Sequence, residues 1–145
     1  MTPCVAGVEG GHDPPMSDYT IIGLREVEDA APGFGFDETM ESRFATRPLG
    51  GSIVGLALET IKPGKRVPFG HRHSNQEEVY VVVRGGGRVK IEDEVHDVRQ
   101  WDAIRVGPGT TRNFEAGPDG LEILAFGAPV SVGNDSELLP GWWSD

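Results

Sequence analysis

Cysteine is nearly absent from this chain of 145 residues, where Cys4 stands alone. One thiol excludes an internal disulfide and a zinc site built from several thiolates, and it fits a reducing compartment. Histidine is almost as scarce, limited to His12, His71, His73 and His96. Positive charge is short as well: 13 Lys and Arg face 23 Asp and Glu, a net charge of −10. A surface of that sign repels a nucleic-acid backbone and an anionic membrane face, so neither is expected as a partner. Long apolar runs are missing, and the most apolar stretch, residues 53–58, is far too short to cross a bilayer. The first residues lack the charged start and continuous apolar run of a secretory signal, so a cytoplasmic location is expected.

Glycine and proline are plentiful, at 21 and 11 residues, and they cut the chain into short extended segments. The length suits one domain with a real core. Residues 1–18 read as a disordered leader, with Met16 as a possible start that would make Cys4 and His12 irrelevant to function. A single domain over residues 19–145 is expected, all-β and with little helical periodicity. Residues 25–31 are expected to form a short helix before Pro32. Residues 52–61 read as a strand with Val54, Leu56 and Leu58 on one face and Ile53, Ala57 and Ile61 on the other. Two apolar faces require an outer cover, either from the chain's first 45 residues or from a second copy in a homodimer. Residues 78–83 form a β-branched strand that Gly85, Gly86 and Gly87 are expected to stop. Residues 88–99 read as a hairpin, and residues 121–126 as the last strand, entered from a turn over 117–120. Trp142 and Trp143 are expected to pack down as a lid, an outer cover or a dimer contact.

The chemistry concentrates at His71-Arg72-His73 and Glu78. Residues two apart on a strand share a face, so His71 and His73 can offer two imidazole nitrogens to one pocket, with Glu78 as a third ligand. Two histidines and a carboxylate suit iron, manganese, zinc or nickel, with positions left for water or substrate. Glu77 is the rival carboxylate. His96, among Asp93, Glu94 and Asp97, reads as part of a solvated hairpin. Tyr80 shares parity with Glu78, so its hydroxyl either binds a ligand or finds a backbone partner in the core. Phe69, Phe114 and Phe126 read as barrel packing or pocket wall.

Together these segments resemble the two signature motifs of the cupin superfamily, over roughly residues 50 to 127. The first motif is glycine, five residues, His-x-His, three or four residues, glutamate, six residues, glycine. His71, His73, Glu78 and Gly85 match it, and Gly64 sits one residue too far upstream. The second motif ends in a histidine and an asparagine; Gly109 matches, but Trp101, Gly107, Arg112 and Ala116 stand where glycine, proline, histidine and asparagine are usual. The resemblance implies a jelly-roll barrel, or double-stranded β-helix, with a short N-terminal helical turn and a central pocket.

It also implies that the fourth metal ligand is replaced by Arg112, whose guanidinium has no lone pair to give. Two pocket chemistries follow. In one, His71, His73 and Glu78 hold a divalent metal and Arg112 and Tyr80 contact a small anionic or oxygen-rich substrate, as in a dioxygenase, isomerase or lyase. In the other, Arg112 pairs with Glu78 and the pocket is a metal-free small-molecule binding site without catalysis. A divalent ion within ~4 Å of a guanidinium is repelled by several kcal/mol at an effective dielectric near 20, which sets the two against each other. Whether the protein is an enzyme stays open at this point, and no catalytic residue is singled out.

Overall fold

The computed structural model describes residues 18–130 and 134–145. Of the expected leader only Asp18 falls within them, so Cys4, His12 and Met16 lie outside the described residues.

Among the described residues, eight strands form one curled antiparallel sheet: β1 (Met40–Phe44), β2 (Gly55–Ile61), β3 (Phe69–His73), β4 (Glu77–Ile91), β5 (Glu94–Arg99), β6 (Ala103–Val106), β7 (Arg112–Ala128) and β8 (Ser136–Pro140). The path runs β1-β2-β7-β3-β8, and β4 pairs with β5, β6 and β7. This is the jelly-roll architecture expected. An α-helical turn, α1 (Thr46–Leu49), is closed by Gly50 in the left-handed region.

The two long strands β4 and β7 organise the barrel. Gly85–Gly87 does not stop β4; the strand passes through with register shifts between Val82 and Arg84 and between Gly85 and Gly87. A Cβ on Gly85 would lie 2.0 Å from the Gly120 carbonyl oxygen, and one on Gly87 would lie 2.0 Å from that of Glu115. These glycines therefore permit a close backbone crossing and bend the strand rather than ending it. For the same reason residues 117–120 are not a turn: β7 begins at Arg112 and runs through them, and β8, not residues 121–126, is the last strand.

The helix expected over residues 25–31 is replaced by two 3-10 turns, Leu24–Glu26 and Pro32–Phe34. Between them the Asp29 carboxylate accepts hydrogen bonds from the amides of Ala31 and Ser42. A side chain that ties down backbone donors in this way competes with helix formation. β2 starts at Gly55, later than expected, and leaves Ile53 and Val54 exposed.

The core beneath β4 and β7 joins Ile61, Tyr80, Val82, Val89, Val98, Val106, Phe114, Leu121 and Ile123. Burying each such aliphatic side chain contributes roughly 1.5–3 kcal/mol. Phe114 belongs to this core, whereas Phe126 points outward and is 36% exposed. Strand alternation explains the difference, because Phe126 pairs with Leu56 and Val79 on the outer face. Trp142 and Trp143 form an outer cover. Trp142 lies against Gly70, where a Cβ would come within 2.7 Å of the ring. Trp143 is buried, with the Arg66 guanidinium 4.3 Å from its ring centroid.

The turn between β5 and β6 accounts for one departure from the second motif. Trp101, standing where glycine is usual, has φ +73 and is 68% exposed. It thus adopts the backbone conformation that favours glycine, at a cost of order 1–3 kcal/mol.

Candidate functional site

β3 and β4 alternate their side chains, so Phe69, His71 and His73 face the barrel interior together with Glu78, Tyr80 and Val82. β7 supplies Arg112, whose backbone is paired with both His71 and Ile91. Register thus brings all five candidate residues, His71, His73, Glu78, Tyr80 and Arg112, to one place.

They converge on a single oxygen. Glu78 Oε1 lies 3.0 Å from His73 Nε2 and 3.3 Å from His71 Nε2. It accepts a 2.7 Å hydrogen bond from the Tyr80 hydroxyl and a short one from Arg112 Nη2. Arg112 is fully buried; its Nε donates to the Tyr80 oxygen at 2.8 Å and its Nη1 to the Thr110 carbonyl at 2.9 Å. Glu77, the rival carboxylate, is turned outward and pairs with Arg105 at 2.8 Å. His96 is exposed beside Glu94 on the β4–β5 hairpin.

Asp135, just before β8, was not singled out from the sequence. Its Oδ1 is 2.8 Å from His73 Nδ1, and its Oδ2 accepts from the amides of Asn75 and Gln76. No local pattern announces this residue, because β8 reaches β3 only through long-range pairing.

Electrostatics follows the contacts. Burial alone would raise the Glu78 carboxyl, but hydrogen bonds from His71 and His73, the Arg112 charge and Tyr80 together hold it well below the usual carboxylate range. Burial lowers His71, with Glu78 opposing only in part. His73 shifts the other way: burial is outweighed by its contacts with Glu78 and Asp135. Tyr80 is pushed well above its ordinary value, by burial and then by the adjacent Glu78 charge.

The donor set fits a divalent cation. One atom each from His71, His73 and Glu78 lie within 4.8 Å of one another. Neighbouring ligands on an octahedral ion with bonds of about 2.1 Å are separated by about 3 Å, close to the spacings seen here. With Asp135 accepting the Nδ1 proton, His73 Nε2 meets the Glu78 carboxylate at 3.0 Å, where it either donates a proton to it or, as a neutral ring, offers a lone pair to a cation the two share.

The site opens into a cavity of about 430 Å³. Phe34, Phe36 and Phe69 lead from its rim to the histidines, with centroids 6.4 Å apart for the first pair and 5.3 Å for the second. Met40, Ala57, Ile61 and Ala125 line it, and so do Ser42 and Glu59.

Comparison with known proteins agrees with this architecture. A family model described as "Cupin domain" matches residues 57–126. An uncharacterized protein of Methanocaldococcus jannaschii is 30% identical over 82 residues, 56% of this chain and 66% of the relative, just under two-thirds of its length. Among solved structures, a cupin protein from Bacteroides fragilis superposes with a TM-score of 0.65 at 19% identity, covering 82% of this chain and 91% of that one. A Bacillus subtilis oxalate decarboxylase gives 0.70 at 20% identity over 88% of this chain but only 34% of its own. A Streptomyces protein solved with uridine gives 0.64 at 16% identity over 86% and 92%. At these identities the structural likeness speaks for the fold alone. With eight strands in a jelly roll among the described residues, His-x-His and a glutamate turned into the barrel, and the family match over residues 57–126, β2 to β7 form a cupin domain.

Proposed function

We propose that this cupin binds a divalent metal on His71, His73 and Glu78 and a small anionic or oxygen-rich molecule in the adjoining cavity. The observation that carries this reading is the aim of His73 Nε2 at the Glu78 carboxylate while Asp135 holds Nδ1. A carboxylate behind a histidine orients the ring and raises its basicity toward a metal. Iron, manganese, zinc and nickel all suit this donor set. When bound, such an ion would supply Lewis-acid polarisation of a ligand oxygen, the chemistry shared by metal-dependent oxidoreductases, isomerases and lyases. Glu78 and Arg112 cancel one another's charge, so an added divalent ion leaves the pocket positive and favours an anionic ligand. In this reading Arg112, freed from Glu78 when the metal takes that carboxylate, pairs with the anion, and Tyr80 donates a hydrogen bond to it.

The second reading is favoured by the same Arg112: its short bond to Glu78 suits a metal-free pocket that binds an organic ligand without catalysis. Elemental analysis separates the two. Protein purified without chelator or nickel resin, with His71→Ala beside it, should carry near one equivalent of metal that the variant loses while remaining folded. Metal-free protein that stays so after metal addition would sink the first reading and support the second.

Two further expectations belong to this reading. The domain spans residues 19–145 and works in the cytoplasm; among the described residues no helix is long and apolar enough to cross a membrane. A homodimer would cover the outward row of Leu56, Phe126 and Val79.

A further inference from the structure

The cavity has a second polar feature besides the histidines and Glu78. On β2, Gly55 sits at the level of Glu78, both being paired with Gly127, while Glu59 lies at the level of Ile123 and Val82. Ala57, Glu59 and Ile61 share the inward face, so an acidic residue interrupts an apolar row. Ser42 stands opposite Glu59 on β1, is buried, and donates its hydroxyl proton to Glu59 Oε2 at 2.5 Å. The Ser42 amide is engaged elsewhere, by Asp29.

A carboxylate can accept about four hydrogen bonds. Among the described residues Glu59 receives a side-chain hydrogen bond from Ser42 alone, and no arginine, lysine or histidine pairs with it. It lines the same cavity as Phe36, Phe69, Met40, Ala57 and Ile61, whose lining is mostly apolar. Leaving acceptor capacity unused in such a place is costly, and a donor on a bound molecule would relieve that cost.

We propose that Glu59 and Ser42 form a recognition subsite for a hydroxyl or amine group on a ligand whose body is flat, apolar and of aromatic size. The cavity volume lies within the range of small-molecule sites, roughly 300–1,000 Å³. Its Phe34–Phe36–Phe69 wall offers ring faces and edges to such a body. Burial, with the Glu78 and Asp29 charges adding to it against the Ser42 hydrogen bond, pushes the Glu59 carboxyl up to about 7. Near neutral pH both its protonation states are populated, so it can accept from a neutral hydroxyl, and a bound ammonium group would favour its ionised form. The subsite rests on the reading that this cavity holds a small molecule, and it does not require the metal.

Phenol, benzylamine and toluene are matched probes, alike in body and different in donor. Their affinities are to be measured by protein-observed NMR titration for the wild type, Glu59→Leu, Glu59→Gln and Ser42→Ala, with metal content determined on the same samples. The wild type should prefer phenol and benzylamine over toluene by tenfold or more. Glu59→Leu should abolish that preference, and Ser42→Ala should reduce it. Glu59→Gln, which keeps an acceptor oxygen without charge, should retain phenol and weaken benzylamine. Equal affinity for all three probes, no binding of any, or a preference unchanged in Glu59→Leu would overturn the subsite. A donor preference in protein that takes up no metal would uphold the subsite while removing the metal reading.

Discussion

Glu78 and Arg112, 34 residues apart in sequence, share a hydrogen bond inside the barrel, with the guanidinium wholly removed from solvent. A buried charge is tolerated only when paired and hydrogen-bonded, and here Tyr80 and the Thr110 carbonyl complete the set. The pair occupies the point toward which both histidines turn, so it governs what else the pocket can hold.

Replacing Arg112 tests that control directly. Arg112→His removes the obstructing charge and adds a lone pair, so metal uptake should strengthen while affinity for anionic ligands falls. Calorimetric titration with manganese and with small carboxylates would read both. Unchanged values for each would count against both roles of Arg112. Arg112→Met, which takes the fixed counter-charge from the buried Glu78 carboxylate and leaves it only Tyr80 and the histidines, should destabilise metal-free protein by about 3–5 kcal/mol.

Asp135 should matter through His73. Asp135→Asn keeps the side chain's shape but weakens its hold on the imidazole proton, and metal affinity should fall by about 10–100-fold. Thermal stability of the metal-free variant checks that the effect is not general unfolding. Full affinity in a folded Asp135→Asn protein would remove Asp135 from the site.

Glu59 should make stability fall with rising pH. Its native carboxyl, at about 7, binds a proton more tightly than the ordinary value of 4.5. Between those two values the native state holds more protons than the unfolded chain, so stability is lost as pH rises through that window. Glu59→Gln removes the effect. It should match the wild type near pH 4.5 and exceed it at pH 8 by up to about 3 kcal/mol. Urea unfolding at the two pH values measures the difference, and an equal offset at both would contradict the assignment.

Trp101 carries backbone strain in an exposed turn. Trp101→Gly relieves it but adds freedom to the unfolded chain, so the net gain should be about 1 kcal/mol. For a domain of this size that is about 2–4 °C in Tm. A lower Tm would mean that the indole makes contacts worth more than the strain.

Much of this protein is decided locally. The two-residue spacing of His71 and His73, and of Glu78 and Tyr80, places each pair on one face of its strand whatever the rest of the chain does. Alternating β-branched residues broken by glycine and proline are enough for an all-β domain. The expected strand ends at residues 85–87 and 117–120 failed because a glycine's role depends on what crosses it. Gly85 and Gly87 admit a neighbouring backbone, a contact that exists only once β4 has met β7.

The site's remaining members come from the same kind of long-range pairing. Asp135 reaches His73 across 62 residues, and Ser42 reaches Glu59 because β1 pairs with β2. Glu59 did leave a trace, as an acid on the otherwise apolar inward face of β2. The sequence alone determined the strand class, the inward parity of His71, His73, Glu78 and Tyr80, and the loss of a fourth histidine at Arg112. Only the tertiary structure decided that Arg112 bonds Glu78, that Asp135 stands behind His73 and that Glu59 lines one cavity with Phe36 and Phe69. Parity is a property of one strand, whereas these contacts depend on the register between strands far apart in the chain.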